Sequence, residues 1–445
     1  MRKNKFNKLA VVAFISLVSS IGVKCLAQNP IIQTKYTADP APMVHNNTFY
    51  VYTGHDQADK ANGWFNMKEW RCYSSTDMSN WTDLGSPMNL KTFSWGNVDA
   101  WASQCVYRNG KFYWYACIRL EKDRFGIGVA VSERPEGAFV DAIGKPLIAG
   151  DSYLDPTVYV DDDGQAYMYF GNGKLWFVKL NQDMISTLGS IVEIPRTAES
   201  VDSYLEAPWL YKRNGLYYLI YAGQVPGREN IRYSTSSSPT GPWEYKGIIM
   251  PEEGGSWTNH PGMADYKGNS YFVYHNGALP GGGNGRRSVG VEQFKYNPDG
   301  TIPLMKMTTT GSEQIGNLNP YIRHQAEEIC WEEGIDTETN SKTGVYVASI
   351  DNNDYIKVKG VDFGKGVKAF QANVACASKG GKIEIHIDSL SGSLLGTCLV
   401  QNTGDWQKWV TKNCKLIKTK GIHDVYFVFK GSEDNLFNLD YWKFK

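Results

Sequence analysis

Three carboxylates recur in one local setting. Asp39 stands in Tyr36-Thr-Ala-Asp39-Pro-Ala-Pro42, Asp155 in Tyr153-Leu-Asp155-Pro-Thr-Val158, and Glu206 in Tyr204-Leu-Glu206-Ala-Pro-Trp209. Each lies at the start of a stretch that alternates like a strand. A single Asp-Pro is an ordinary turn starter. Three acids with the same downstream pattern point instead to a repeated unit that delivers each acid to a shared centre. Such a set can split a glycosidic bond. One acid protonates the leaving oxygen and another activates water. A third raises the pKa of the acid by like-charge repulsion. Proline favours an extended or turn conformation in the residue before it, so Asp39 is expected to be held rigidly at an element boundary.

The elements that must carry these acids repeat as well. Phe49-Tyr-Val-Tyr-Thr, Phe112-Tyr-Trp-Tyr-Ala, Ala166-Tyr-Met-Tyr-Phe, Tyr217-Tyr-Leu-Ile-Tyr and Ser270-Tyr-Phe-Val-Tyr-His are aromatic strands, each followed by a variable loop and a second strand. Asn109-Gly, Asp163-Gly, Asn214-Gly and Lys267-Gly supply turns ahead of four of them. Five such units between Phe49 and about Ile302 predict a five-bladed β-propeller. A jelly roll would also give many short strands, but not five copies of one motif. Innermost propeller strands converge on a central depression, where the three acids would meet.

From about His324 the character changes. Tyr355-Ile-Lys-Val, Phe370-Gln-Ala-Asn-Val, Lys382-Ile-Glu-Ile-His-Ile and Val425-Tyr-Phe-Val-Phe alternate with polar turns and predict a β-sandwich of jelly-roll type. The chain therefore reads as all-β. Residues 1–27 form a leader, 28–310 the propeller, 311–322 a connector and 323–445 the sandwich. The leader joins Arg2, Lys3, Lys5 and Lys8 to an apolar run from Leu9 to Val18, with small residues near Cys25-Leu-Ala27. This pattern implies export to the periplasm or beyond, without stable membrane insertion. Lipid attachment at Cys25 and an uncleaved anchor are the competing readings; Lys24 suits the first badly and the run is short for a span.

Of 46 Lys and Arg, five lie in the leader, so 41 face 46 acids in the remainder, a balance of −5. That balance does not recruit nucleic acid. A neutral polymer suits it, and 14 Trp with 27 Tyr suit stacking on sugar rings. Seven cysteines follow the leader without a CxxC or Cys/His metal spacing, and their odd number leaves at least one thiol free. The run Gly281-Gly-Gly-Asn-Gly285 lacks the Lys-Ser/Thr ending of a phosphate loop. No organic cofactor is expected.

Taken together, Ala-Asp39-Pro-Ala, Leu-Asp155-Pro-Thr-Val and Leu-Glu206-Ala-Pro-Trp resemble the motifs of glycoside hydrolase family 43, over about residues 33–310. Further stretches resemble the arabinoxylan arabinofuranohydrolases of that family. They are Cys72-Tyr-Ser-Ser-Thr-Asp-Met-Ser-Asn-Trp81, Asn109-Gly-Lys-Phe-Tyr-Trp-Tyr, Asp161-Asp-Asp-Gly-Gln-Ala-Tyr, Asn259-His-Pro-Gly-Met and Tyr274-His-Asn-Gly. The resemblance implies that Asp39 is the general base, Glu206 the general acid and Asp155 the pKa modulator of an inverting enzyme. His275 ends the strand expected to be innermost in the fifth blade, and the resemblance implies that a His there faces the axis, near an ion or water. It places Arg287, following the glycine-rich loop, beside the catalytic carboxylates as a holder of substrate or acid. Trp101 matches an active-site Trp-Ala-Pro, with Ser103 in place of the Pro. The expected substrate is α-L-arabinofuranose on arabinoxylan, arabinan or a related plant cell-wall polysaccharide. The family also includes β-xylosidases and enzymes acting on xylan, arabinan and galactan. A non-catalytic sugar-binding propeller and a retaining fructan hydrolase are the alternatives of other kinds. Loops 54–70, 91–101 and 222–230 are expected to decide the substrate.

Gln325-Ala-Glu327, Ile350-Asp-Asn-Asn-Asp-Tyr-Ile and Leu436-Phe-Asn-Leu-Asp440-Tyr-Trp resemble carbohydrate-binding module family 6. The resemblance implies a structural calcium on Gln325, Glu327 and Asp440, which are hard oxygen donors. It implies a sugar site at the loop tips with Trp406 as one aromatic. Ser349 stands where a Tyr is usual, with Tyr346 close by. A binding module and a structural companion of the propeller remain two open roles for the sandwich. A monomer is expected.

Overall fold

The computed structural model describes residues 29–57, 65–120 and 124–445. The leader and Cys25 lie outside these. Five small antiparallel sheets come first. Their first strands are Thr37–His45, Asp99–Arg108, Thr157–Val160, Tyr204–Arg213 and Gly262–Tyr266. Each first strand packs beside the first strand of the next sheet, and the fifth returns to the first. The sheets are therefore the blades of a closed five-bladed propeller, with the acid-bearing strands innermost.

The aromatic strands are the second strand of each blade: Thr48–His55, Lys111–Arg119, Ala166–Phe170, Leu216–Val225 and Asn269–Asn276. Two-residue turns with positive φ at both positions join them to the inner strands in four blades: Asn46-Asn47 (46°, 60°), Asn109-Gly110 (50°, 82°), Asn214-Gly215 (50°, 78°) and Lys267-Gly268 (46°, 80°). Positive φ at both positions matches strand twist, and this requirement favours the Asn-Gly pairs. Aromatic rings fill the gaps between blades. Tyr52 of the first blade meets Trp114 of the second at 4.7 Å, edge to face, and both rings are fully buried. Truncating such a ring typically costs about 3–5 kcal/mol. His275 sits on Asn269–Asn276, the second strand of its blade. It is therefore not on the innermost strand, where the aromatic pattern places it.

The C-terminal part is a sandwich of two sheets. One contains Asp336–Asn340, Gly344–Ala348, Asn438–Phe444, Val367–Cys376 and Asp405–Thr419, with His324–Gln325 at its side. The other contains Trp331–Glu333, Tyr355–Asp362, Ile422–Lys430, Gly381–Ile387 and Leu394–Val400. Phe370, Phe427, Trp442 and Phe444 pack between them. All seven cysteines of the described residues are unpaired thiols.

The two parts are stitched together. Glu328–Ile329, from the sandwich side, pairs antiparallel with Trp81–Asp83 and extends the first blade at its outer edge. The turn that precedes this edge is built by Asp77, which accepts hydrogen bonds from the Ser79 and Asn80 N–H groups. Asn80 then exchanges two hydrogen bonds with the backbone of Lys359, at 3.0 and 2.8 Å. Thr337 donates to Asp83 at 2.8 Å. The stretch from Cys72 to Trp81, quoted above as a family signature, therefore serves as the docking edge of the propeller. Residues 311–322 are laced down as well. Gln314 donates to Asp77 and to the Lys359 carbonyl, and Leu318 bridges to Val361.

Candidate active site

The three recurring motifs place their backbones alike. Asp39 has φ 52°, Asp155 φ 55° and Ala207 φ 55°, and each immediately precedes a proline. Extended backbone is the usual preference before proline. Positive φ at a non-glycine residue costs of order 1–3 kcal/mol and persists only where the surroundings enforce it. At Asp39 and Ala207 bulges enforce it. The register slips between Ala38 and Ala41, and on both sides of Glu206. These bulges, and the segment leading into Thr157–Val160 for Asp155, deliver the carboxylates of three blades into one cavity of about 490 Å³. Asp39, Asp155, Glu206, Trp101 and Arg287 all line it.

Asp39 is buried. Its Oδ1 accepts from Arg287 Nη1 at 2.9 Å. Arg287 is in turn fixed by Asp56, to which it donates from Nε (2.8 Å), Nη2 (2.9 Å) and its own N–H (2.8 Å). The guanidinium lies 4.3 Å from the Phe65 ring centre and is 3% exposed. Arg287 thus acts first on Asp39, from behind. Burial pushes the Asp39 carboxyl up to about 6, with Arg287 opposing and Asp56 assisting.

The backbone N–H of Asp39 donates to His275 Nδ1 at 3.1 Å. His275 Nε2 must then carry the ring proton, and it donates to the Thr258 carbonyl at 3.0 Å. Both ring nitrogens are engaged by protein. His260 Nδ1 lies 3.8 Å from Asp39 Oδ1, and burial together with Arg287 lowers its pKa to about 3. His260 is therefore neutral near pH 7.

Asp155 is buried and accepts from the Ala207 N–H at 3.1 Å, which ties the third blade to the fourth. Burial raises its carboxyl well above the usual range, with Glu206 and Asp39 adding to the effect. Glu206 is half-buried and its Oε2 accepts from Asn172 Nδ2. Burial and Asp39 raise its carboxyl too. Trp101 is half-buried at the wall, with its ring 5.1 Å from Phe125 and 6.2 Å from Phe65. Ser103, in place of the Pro, is buried and accepts from Trp114 Nε1 at 2.9 Å.

Of the three loops expected to set specificity, 222–230 lines the cavity most fully, through Gln224, Val225, Gly227, Arg228 and Glu229. The loop 54–70 contributes Phe65 and Met67, while its residues 58–64 lie outside the described residues. Asp56, Asn172, Glu229 and His260 are site residues that the sequence reading missed. His55-Asp56 at a strand end and Asn259-His260 within a quoted motif were the available signals.

In the sandwich, Trp406 is 37% exposed at a shallow pocket shared with Ser349, Asn435 and Asn438. Asn438 holds the Trp406 carbonyl at 3.0 Å. Tyr346, the aromatic nearest to Ser349 in sequence, is buried; its hydroxyl donates to Glu338 and accepts from Gln407. It offers no ring face to the pocket.

The three residues expected to hold calcium are split in their contacts. Gln325 Oε1 accepts from Arg323 Nε at 3.1 Å, and Asp440 accepts from Asn373 Nδ2 at 2.8 Å and from Arg323 Nη2 at 3.5 Å. Glu327 is buried with an Oε2 that has no hydrogen-bond partner, and burial pushes its carboxyl well above the usual range. Among the described residues no group of three or more His, Cys, Asp or Glu stands together as a metal site. A carboxamide, Asp440 and an unsatisfied buried carboxylate oxygen nevertheless form a donor set whose chemistry fits a hard cation.

Comparison with known proteins gives consistent findings. Residues 27–302 match Glycosyl hydrolases family 43, and residues 325–445 match Carbohydrate binding module (family 6). The arabinoxylan arabinofuranohydrolase of Bacillus subtilis (strain 168) is 35% identical, across 94% of this chain and 92% of that protein. A xylosidase/arabinosidase of Bacteroides ovatus is 30% identical, across 61% of this chain and 95% of its own. A crystal structure of a glycoside hydrolase family 43 arabinoxylan arabinofuranohydrolase from Bacillus subtilis, in complex with cellotetraose, superposes with a TM-score of 0.83 at 33% identity. It covers 94% of this chain and 97% of that one.

Proposed function

The chain belongs to glycosyl hydrolase family 43, and on that premise we propose that it removes α-L-arabinofuranosyl side chains from arabinoxylan or a related plant polysaccharide, with inversion at the anomeric carbon. The observation that carries the chemistry is the meeting of Asp39, Asp155 and Glu206 in one cavity, each with a raised pKa and each in a different environment. In the proposed reaction Asp39, ionised and steadied by Arg287, takes a proton from water as that water attacks the anomeric carbon. Glu206, half-buried, gives its proton to the departing oxygen. Asp155 is the modulator, held off the substrate by the Ala207 N–H and keeping negative charge close to Glu206.

The choice of arabinofuranose rests on two relatives named arabinoxylan arabinofuranohydrolase, each of which matches both parts of the chain. A β-xylosidase is the second reading, supported by a relative named beta-xylosidase that matches the catalytic part of the chain. A panel of 4-nitrophenyl glycosides separates them. The α-L-arabinofuranoside should be the best substrate, and arabinose should be the sugar released from arabinoxylan. Preference for the β-D-xyloside, with xylose as the product, would overturn the first reading.

For the sandwich we propose weak sugar binding at Trp406, whose exposed ring offers a flat apolar face. Stacked aromatics contribute on the order of 0.5–1.5 kcal/mol beyond burial. With Tyr346 turned inward, a single ring gives a feeble site, so affinity electrophoresis of the full chain on xylan is the suitable assay. Trp406→Ala should reduce the retardation while leaving turnover of the aryl glycoside unchanged. Equal retardation of wild type and variant would make the sandwich a structural companion. Gln325, Glu327 and Asp440 are the residues proposed to hold calcium, with a purely structural effect. A melting temperature that is the same in calcium and in chelator would remove the ion from the proposal. The basic and apolar run of residues 1–27 supports action outside the cytoplasm, which cell fractionation would check.

A further inference from the structure

A fourth carboxylate lines the cavity, and the mechanism above does not use it. Glu229 lies on Arg228–Ser236, the third strand of the fourth blade, directly after the two-residue turn Pro226-Gly227. It is 7% exposed, although Arg228 beside it is exposed. Its Oε2 accepts from the Asn259 N–H at 2.8 Å. Its carboxyl is within hydrogen-bond reach of Glu206, on the innermost strand of the same blade. Two carboxylates so placed cannot both be charged at low cost, so a proton must sit between them. Side chains from other blades surround the pair. Asp155 and Asp39 face it with negative charge, Arg287 with positive charge, and Asn172 donates to Glu206. Asn259 belongs to a segment whose neighbours Thr258 and His260 contact His275 and approach Asp39. One short segment therefore braces both ends of the reaction.

We infer that Glu229 is a positioning residue for Glu206, sharing one proton with it and so keeping the acid supplied. The proton belongs to the pair, whose titration has two steps. Burial raises both carboxyls; the charge of Glu206 adds to the rise at Glu229, that of Asp39 to the rise at Glu206, and the hydrogen bond between the two raises Glu229 and lowers Glu206. The inference rests on the acid role proposed for Glu206.

The test is the pH profile of kcat/KM in Glu229→Gln. Glutamine keeps the shape, removes the charge, and donates to ionised Glu206. The acid should then lose its proton at lower pH. We expect the basic limb to move down by about one pH unit, the scale of a neighbouring-charge effect. At pH values above the wild-type limb this is a roughly tenfold loss. A merely structural role would lower the rate at every pH and leave the limb in place, and that result would overturn the inference. Should the variant not fold, carboxyl carbon NMR of the wild-type chain decides, with the Glu206 signal assigned by its absence in Glu206→Gln. Two-step titration of Glu206 and Glu229, each reporting the other, is expected; a single independent step for Glu206 would overturn it. The two readings can fail separately. An unmoved limb together with a leaving-group-dependent loss in Glu206→Gln rejects the inference and keeps the acid. No such dependence in Glu206→Gln rejects the acid, whatever the NMR shows of the pair.

Discussion

Glu206→Gln should slow the release of arabinose from polymer by roughly two to four orders of magnitude, the range expected for removing a general acid. Hydrolysis of an aryl arabinofuranoside with an acidic phenol should suffer much less. The reason is the leaving oxygen. A sugar alkoxide is a poor leaving group and needs a proton as the bond breaks, whereas a nitrophenolate leaves unaided. Glutamine can still accept from Asn172 and fill the same volume, so the cavity should persist. Comparing the two substrates side by side is the measurement. Equal losses on both would take Glu206 out of the acid role.

Asp39→Asn should be as damaging, but without that discrimination. The base acts on water, so polymer and aryl substrate should both lose roughly two to four orders of magnitude. Asparagine is the replacement of choice because it tolerates positive φ, and Asp39 sits at 52°. The wild-type pH profile belongs to the same prediction. Asp39 works only when ionised, and its pKa is raised to about 6. Activity should therefore rise through about pH 6 as the pH increases, and fall about tenfold per unit below it. Proton NMR of the first-formed sugar should show the inverted anomer. A retained anomer would make Asp39 a nucleophile and turn the mechanism into a double displacement.

Much of this site was legible in the chain because it is written locally. Each acid sits with its own proline and its own strand, so the repeat discloses the set before any fold is known. The alternation of aromatic residues discloses the blades in the same way. What was not legible depends on approach between distant segments. Asp56 reads as one more polar residue at a strand end until the fifth blade brings Arg287 against it. Glu229 reads as a loop acid until the hairpin turns it toward Glu206. His275 was placed on the wrong strand because the aromatic strands look like the natural inner ones, whereas the less conspicuous acid-bearing strands are nearest the axis. The docking edge at Trp81–Asp83 was hidden for a related reason: its partner strand, Glu328–Ile329, is too short to announce itself.

That short strand bears on how the gene can be cut. An outermost strand of a sheet carries a row of unpaired backbone groups, and such rows recruit strands from other molecules. Here the chain covers its own exposed row with a piece borrowed from its other half. A truncation after residue 310, the obvious way to make a minimal catalyst, would uncover Trp81–Asp83 and strip Asn80 of both its backbone partners. Poor solubility of such a fragment would then say nothing about its chemistry. The sandwich would be needed as a built-in guard against self-association, whether or not it ever touches a sugar.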